Sequence, residues 1–202
     1  NLPDVAVVPS EHFNTVLYTG TDASKTITGV GFQPDFTWIK CRSHGGNSSF
    51  DHILTDAVRG VNKTLMSSET NAEVTNNVKG YLSAFGSDGF TVTGQDATSG
   101  IARTYAAWNW KANGSGSANT AGSINSTVSV NTDAGFSIIN WTKEGSSGTK
   151  TVGHGLSKAP EIIIFKEVDD PSHWSTYTGV TGSPTRGLLY LNLTAAQTTN
   201  DA

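Results

Sequence analysis

The sequence predicts an all-β protein built from short antiparallel strands. Short apolar and Thr-containing runs recur between turns rich in Gly, Asp and Ser, a spacing typical of β-sandwich and jelly-roll proteins. No stretch shows the sustained 3.6-residue periodicity of an amphipathic helix. Charged residues make up only 15% of the chain and glycine occurs 22 times, a composition that suits strands and turns.

The strand signals can be followed along the chain. Residues 1–12 contain Pro3 and Pro9 and predict an extended lead-in. Strands are then expected at 15–18, 36–42, 52–54, 64–66, 90–92 and 104–111. The segment 36–42 carries apolar residues on both faces, as an inner strand does, and its Cys41 is predicted to be a buried structural thiol.

The chain also carries an internal duplication. FNTVLYTG at 13–20, a Lys-Thr pair and FTWIK at 36–40 resemble FSIINWTK at 136–143, a second Lys-Thr pair and IIIFK at 162–166. Phe13 thereby matches Phe136, and Lys40 matches Lys166. A weaker similarity relates residues 63–66 to residues 186–189. Duplication of a strand–turn–strand framework is typical of proteins assembled from repeated modules.

The duplication predicts two tandem antiparallel β-sandwich (jelly-roll-like) modules. After the lead-in, residues 13–112 form the first module, residues 113–123 a Gly/Ser/Asn linker, and residues 124–202 the second module. The second copy has no counterpart of the first copy's segments 86–90 and 104–111. We therefore expect an incomplete second module in a fragment of a longer protein.

The composition and motifs argue against several function classes. The net charge is −4 and the chain has no Lys/Arg cluster, so the sequence does not favour nucleic acid as a partner. The chain also has no run of 18 apolar residues, so no membrane-spanning segment is predicted. The histidines never recur at metal-ligand spacing on one element, and no Gly-x-Ser-x-Gly nucleophile motif is present. The sequence therefore predicts a non-enzymatic protein with no catalytic residues, no metal and no cofactor.

Four acidic residues suggest an enzymatic alternative to this prediction. Glu161, Glu167, Asp169 and Asp170 could be proposed as paired carboxylates of a glycan depolymerase, which requires two acids facing each other across a cleft. Asp169 and Asp170 are adjacent in a turn before Pro171, so solvated turn residues explain them better.

Aromatic residues provide the candidate ligand-binding site. His173 and Trp174 follow Asp-Asp-Pro in a loop, where an exposed aromatic ring beside polar groups can stack on a sugar or contact a partner. Core packing or a module interface is the alternative for both residues. Trp108 and Trp110 share one strand face and are interpreted as sandwich core rather than as a stacking platform.

A combination of segments resembles a known repeated module. These segments are PSEHFNTVLYTG at 9–20, GVGFQPDFTWIK at 29–40, DAVRG at 56–60, GSDGF at 86–90 and YAAWNWKANG at 105–114. Together they are similar to an uncharacterised domain of tail-fibre-like and other virion proteins of marine bacteriophages, in which the module recurs in tandem. The resemblance implies placement on a phage particle, and it implies no catalytic residues.

The leading hypothesis is a virion structural protein of a tail fibre or other host-facing appendage, made in the host bacterial cytoplasm. We expect self-association, with a homotrimer as one form, together with contacts to other virion proteins and to host surface polysaccharide. The alternatives are a carbohydrate-binding module of a secreted bacterial protein and a capsid-decoration protein. Exposed coplanar aromatic rings would favour the carbohydrate-binding module.

Overall fold

A computed structural model describes residues 7–43, 50–143, 145, 148–179, 187–195 and 198–199. These residues form sixteen β-strands and one short 3₁₀ turn, and no α-helix occurs among them. The all-β prediction is confirmed, since every strand pair in the sheets is antiparallel. Within the described part of the chain, no helix has the length and hydropathy needed to cross a membrane.

The first ten strands lie between residues 13 and 119. They are β1 (Phe13–Thr19), β2 (Lys25–Thr28), β3 (Phe36–Cys41), β4 (Ile53–Asp56), β5 (Lys63–Thr64), β6 (Val74–Thr75), β7 (Leu82–Gly86), β8 (Gly89–Val92), β9 (Thr104–Trp110) and β10 (Ser117–Asn119). The remaining six are β11 (Ser126–Asn131), β12 (Phe136–Trp141), β13 (Ile162–Phe165), β14 (Ser175–Thr178), β15 (Gly187–Tyr190) and β16 (Thr198–Thr199).

Two sheets face each other in the first half of the chain. One has the strand order β1-β9-β3-β4 and the other has the order β2-β8-β7. Alternate residues of both sheets point inward and form one apolar cluster, which includes Ile39, Cys41, Phe90 and Tyr105. Cys41 is only 3% exposed, so its prediction as a buried thiol is confirmed.

The strand meander of the first half recurs in the second half with the same pairings. Strands β3, β4, β5 and β6 follow one another antiparallel, and β13, β14, β15 and β16 do likewise. The first meander pairs Phe36 with Asp56, Leu54 with Leu65 and Lys63 with Thr75. The second pairs Ile162 with Thr178, Thr176 with Leu189 and Gly187 with Thr199. The two meanders therefore share strand order and antiparallel pairing, but the similarity of 63–66 to 186–189 is offset by one residue from the structural pairing, in which Leu65 corresponds to Leu189.

The segment between the two halves contributes a strand of its own. Residues 117–119, inside the stretch expected to be a linker, form β10 and pair with β11. Strand β12 completes this three-stranded sheet. Gly116 makes the close approach possible, because a Cβ at this positive-φ position would lie 2.7 Å from the Val128 carbonyl oxygen.

The lead-in differs from the expected extended segment where it is described. Residues Pro9–Glu11 form a 3₁₀ turn, in which the His12 N–H donates to the Pro9 carbonyl at 3.0 Å. Proline has the backbone angle of a first helical position and no N–H to satisfy there, so it starts such a turn readily. Residues 1–6 of the lead-in and 200–202 of the second module lie outside the described residues.

Candidate functional site

Trp174 immediately precedes β14 and is buried against the first half of the chain. The indole is 6% exposed and packs with Leu54 and Leu65, while its Nε1–H donates to the Met66 carbonyl oxygen at 2.9 Å. A sugar that stacks on an aromatic ring needs an open ring face. In this position Trp174 instead holds the two halves of the chain together, which matches the interface alternative.

His173 is the exposed neighbour of this anchor. Its ring lies 4.9 Å from the Tyr190 ring, tilted by 46°. Tyr190 is the last residue of β15 and lies opposite Ser175 of β14, so strand pairing brings the two rings together. The exposed His173 and the half-buried Tyr190 and Asn192 form a surface group that we call the His173 patch (His173, Tyr190 and Asn192).

The hydrogen bonds of Asn192 set the orientation of the His173 patch. Its Oδ1 accepts the Trp174 backbone N–H at 3.0 Å, which leaves Nδ2 to face His173 Nδ1, also at 3.0 Å. Because the amide Nδ2 can only donate, this contact assigns Nδ1 of His173 as the acceptor and Nε2 as the nitrogen that carries the proton. The patch therefore offers a fixed imidazole N–H donor, a phenol ring and an amide to a polar ligand.

Sequence reasoning identified His173 but missed Tyr190 and Asn192. Those two residues are 17 and more positions further along the chain, and no local motif links them to the Asp-Asp-Pro loop. The repeated meander was the one available signal, because it would have predicted that β14 and β15 pair. The register that places Tyr190 beside His173 follows from that pairing.

Aromatic rings also fill the outer face of the first-half sheet. Trp110 lies 4.8 Å from Phe13 and 5.2 Å from Phe36, and Phe136 of the second half stacks on it at 6.1 Å. Trp110 is half-buried in this group, and Trp108, on the same strand face, is half-buried as well. These rings pack between the two halves of the chain and do not form an open platform for stacking a sugar.

A buried ionic cluster lies close to the same interface. Arg59 is 8% exposed at its side chain and bonds Asp56 at 2.6 Å through Nε and Glu73 at 2.8 Å through a terminal nitrogen. Asp56 also accepts the backbone N–H groups of Val58 and Arg59, which closes the turn after β4. The Glu73 N–H donates to the Val168 carbonyl, so the cluster abuts the second half. Both carboxylates are bound to one guanidinium, an arrangement that suits structural support.

The acids considered for glycoside hydrolysis do not converge on a cleft. All four are exposed: Glu161 immediately precedes β13, and Glu167, Asp169 and Asp170 follow it. The backbone carbonyls of Glu167 and Asp170 accept from Lys166 Nζ at 2.5 and 3.2 Å. Burial lowers the pKa of the Lys166 ammonium, partly offset by the Glu167 charge. Among the described residues, no three His, Cys, Asp or Glu side chains come together to hold a metal.

An open groove of about 420 Å³ lies between the β10 region and residues 152–156. His154 lines it, but its Nδ1 accepts the Leu156 backbone N–H at 3.0 Å and its carbonyl accepts from Ser137 at 2.7 Å. These bonds assign the histidine to a turn. The His173 patch therefore remains the best candidate for ligand contact.

Residues 8–202 match a family described as "Domain of unknown function (DUF7483)". The match covers nearly the whole chain, and the protein belongs to this family. Comparison with curated proteins and with solved structures finds no match.

Proposed function

We propose that this protein is a non-enzymatic structural component of a bacteriophage virion, as part of a tail fibre or another host-facing appendage. The observation that carries the proposal is the duplicated meander, in which Phe36–Asp56 and Ile162–Thr178 are equivalent pairs. Two similar segments that share one pattern of strand pairing are typical of a duplicated module, and repeated modules suit elongated assemblies. The sequence resemblance to marine phage virion proteins supports the same assignment.

The finer architecture we propose is a tandem of two jelly-roll-like modules. The first contains the two facing sheets around Ile39 and Phe90. The second contains the repeated meander and the sheet β10-β11-β12. In the virion, copies of the chain associate with one another, with a homotrimer as one form, and with other particle proteins. The protein is made in the host bacterial cytoplasm and acts on the extracellular particle.

The His173 patch supports a role in contact with host surface polysaccharide. An imidazole N–H, a phenol ring and an amide match the hydroxyl groups and apolar ring faces of sugars. A contact of this size is weak on its own, and an assembly with several copies would supply affinity through avidity. The position of the patch is fixed by the buried Trp174, whose backbone N–H bonds Asn192 and whose indole N–H bonds the Met66 carbonyl. Ligand contact at the patch therefore requires no rearrangement of the core.

Labelling of intact particles tests the structural assignment. Antibodies raised against the purified protein, coupled to gold, should decorate the appendages of intact phage particles in electron micrographs. Mass spectrometry of purified particles should recover its peptides in stoichiometric amounts. Signal confined to the lysate, with none on particles, would contradict the proposal. Glycan binding in that case would favour the carbohydrate-binding module of a secreted protein.

A glycan array tests the surface role separately. The purified oligomer should bind bacterial polysaccharides, and Tyr190→Ala and His173→Ala should each reduce that binding. Trp141→Ala is the matched control, since Trp141 is an exposed aromatic residue (41%) on β12, outside the patch. Equal loss of binding in the control and in the patch variants would remove the patch from the proposal.

A further inference from the structure

Strand β13 forms the edge of its sheet, and among the described residues no strand pairs with its outer side. The Gly179 N–H donates to the Glu161 carbonyl at 2.6 Å, so Glu161 bonds toward β14. Because alternate residues of an antiparallel strand bond the same neighbour, Ile163 and Phe165 also bond toward β14. The backbone N–H and C=O groups of Ile162 and Ile164 therefore point to the outer side. This edge has the polar groups needed to accept another strand.

The side chains of β13 are exposed on both faces. The exposed fractions are 64% for Ile162, 42% for Ile163, 46% for Ile164 and 43% for Phe165. Natural edge strands are usually protected by charge, proline, bulges or a covering segment. None of the four residues of β13 is charged or proline. An edge that is apolar on both faces is suited to being covered.

The equivalent strand of the first copy shows what covers this edge. Strand β3 corresponds to β13, because the Ala57 N–H donates to the Asp35 carbonyl as Gly179 does to Glu161. On its other side β3 pairs with β9, which places Trp38 opposite Trp108 and Phe36 opposite Trp110. Ile39 of β3 lies in the apolar cluster between the two facing sheets and is only 1% exposed, whereas the corresponding Phe165 is 43% exposed.

Strand β9 has a side-chain pattern that fits such a position. Tyr105, Ala107 and Asn109 lie on its inner face and are fully buried, while Trp108 and Trp110 lie on the other face and are half-buried. The even-numbered residues of β9 form the backbone hydrogen bonds to β3, as shown by the Arg42 N–H, which donates to the Thr104 carbonyl at 2.7 Å. The odd-numbered residues bond β1, as shown by the Lys111 N–H donating to the His12 carbonyl at 2.8 Å.

We infer that the outer edge of β13 binds an extended polypeptide strand with the side-chain pattern of β9, antiparallel and hydrogen-bonded to Ile162 and Ile164. The occupant is a protein strand, with aromatic residues on one face and small or amide residues on the other. Strand addition of this kind gains affinity from main-chain hydrogen bonds and specificity from alternate side chains. The inference goes beyond the proposed function and does not depend on it.

A synthetic peptide tests the edge directly. A fluorescently labelled peptide with the sequence of residues 103–112, RTYAAWNWKA, should bind the 202-residue protein in an anisotropy titration. N-methylation at the positions of Ala106 and Trp108 removes the donors facing β13 and should weaken binding roughly tenfold or more. N-methylation at the positions of Ala107 and Asn109 alters the opposite edge and should leave binding unchanged.

Two protein variants separate β13 from other surfaces. Ile164→Pro removes the outward N–H without removing a bond to β14 and should abolish peptide binding. Ile164→Ala keeps the N–H and should retain binding, and thermal unfolding checks that both variants fold. The inference is overturned if the peptide still binds the Ile164→Pro variant, or if N-methylation at the two sets of positions changes the affinity equally. Self-association through β13 without peptide binding, lost in Ile164→Pro, would overturn it in favour of a second copy of the chain.

Discussion

The indole of Trp174 donates its N–H to the backbone carbonyl of Met66 across the boundary between the two halves of the chain. The acceptor lies just after β5 of the first meander, and the donor lies just before β14 of the second. The Ser172 N–H adds a further bond, to the Thr70 carbonyl at 2.9 Å. The boundary between the two halves is therefore both apolar and hydrogen-bonded.

Replacement of Trp174 by Phe keeps the ring but leaves the Met66 carbonyl without its donor. We expect the free energy of unfolding to fall by about 1–3 kcal/mol, the usual cost of an orphaned buried acceptor. Urea denaturation followed by circular dichroism measures the change. Trp141→Phe serves as the control on an exposed ring and should shift stability by no more than about 0.5 kcal/mol. Equal effects in the two variants would contradict the assigned role of Trp174.

Replacement of Arg59 by Met should be strongly destabilising, because it leaves the buried Asp56 carboxylate without a counter-charge, whereas Glu73 keeps its pair with Lys63 at 3.2 Å. Breaking a buried ion pair from one side costs about 3–5 kcal/mol. Lys79→Met removes the pair of Lys79 with Asp51, where the lysine is 60% exposed, and should cost no more than about 1 kcal/mol. A comparison of denaturation midpoints separates the two. An Arg59 variant as stable as the Lys79 variant would contradict the structural role of the cluster.

Stability should depend on pH through His52. Burial, with a contribution from the Lys40 ammonium, lowers the pKa of His52, and its Nδ1 accepts the Trp38 indole N–H at 2.6 Å. The unfolded chain therefore binds this proton more readily than the folded protein. The contribution of His52 is fully present above the unfolded pKa of about 6.5 and is lost as pH falls through the lower folded value.

The difference between wild type and His52→Gln isolates this contribution from the other histidines. Gln can still accept the Trp38 N–H but does not titrate. Urea midpoints measured between pH 7.5 and 5 should fall more steeply with decreasing pH for the wild type than for His52→Gln. Parallel curves over that range would refute the role of His52.

Asp88 should make folding sensitive to stronger acid. Its carboxylate accepts the Gly31 N–H at 2.6 Å and the Gly29 N–H at 3.0 Å, and these bonds lower the pKa of Asp88. The stability it contributes is present above the unfolded pKa of about 3.9 and is lost as pH falls through the folded value. Asp88→Asn keeps one acceptor oxygen, so the variant should be less stable at neutral pH and less dependent on acid. Thermal melts at pH 7, 4 and 3 test this, and identical melting profiles would exclude it.

Local patterns predicted several strands of the first half but missed others, including β2 and β7. The strand signal at 36–42 corresponds to β3, and Cys41 is buried there as predicted. The similarity of 36–40 to 162–166 also anticipated two equivalent strands. Both results depend on residues close together in sequence, for which periodicity carries the information.

Contacts between residues far apart in the chain could not be predicted from the sequence. The burial of Trp174 depends on Leu54 and Leu65 of the other half, and no local pattern records that partner. Tyr190 and Asn192 were missed for the same reason, since only strand pairing brings them to His173. The strand β10 in the expected linker follows from a partner strand that Ser/Gly composition does not reveal.

The contact between Trp174 and Met66 joins positions 108 residues apart. Chains dominated by such distant pairings fold slowly, on the scale of milliseconds to seconds, because closing a long loop costs entropy before the contact is gained. During synthesis on the ribosome, Leu54 and Leu65 are made before Trp174, so the apolar surface that they form stays uncovered until the later segment is made. That interval exposes an apolar surface to chaperones and to neighbouring nascent chains.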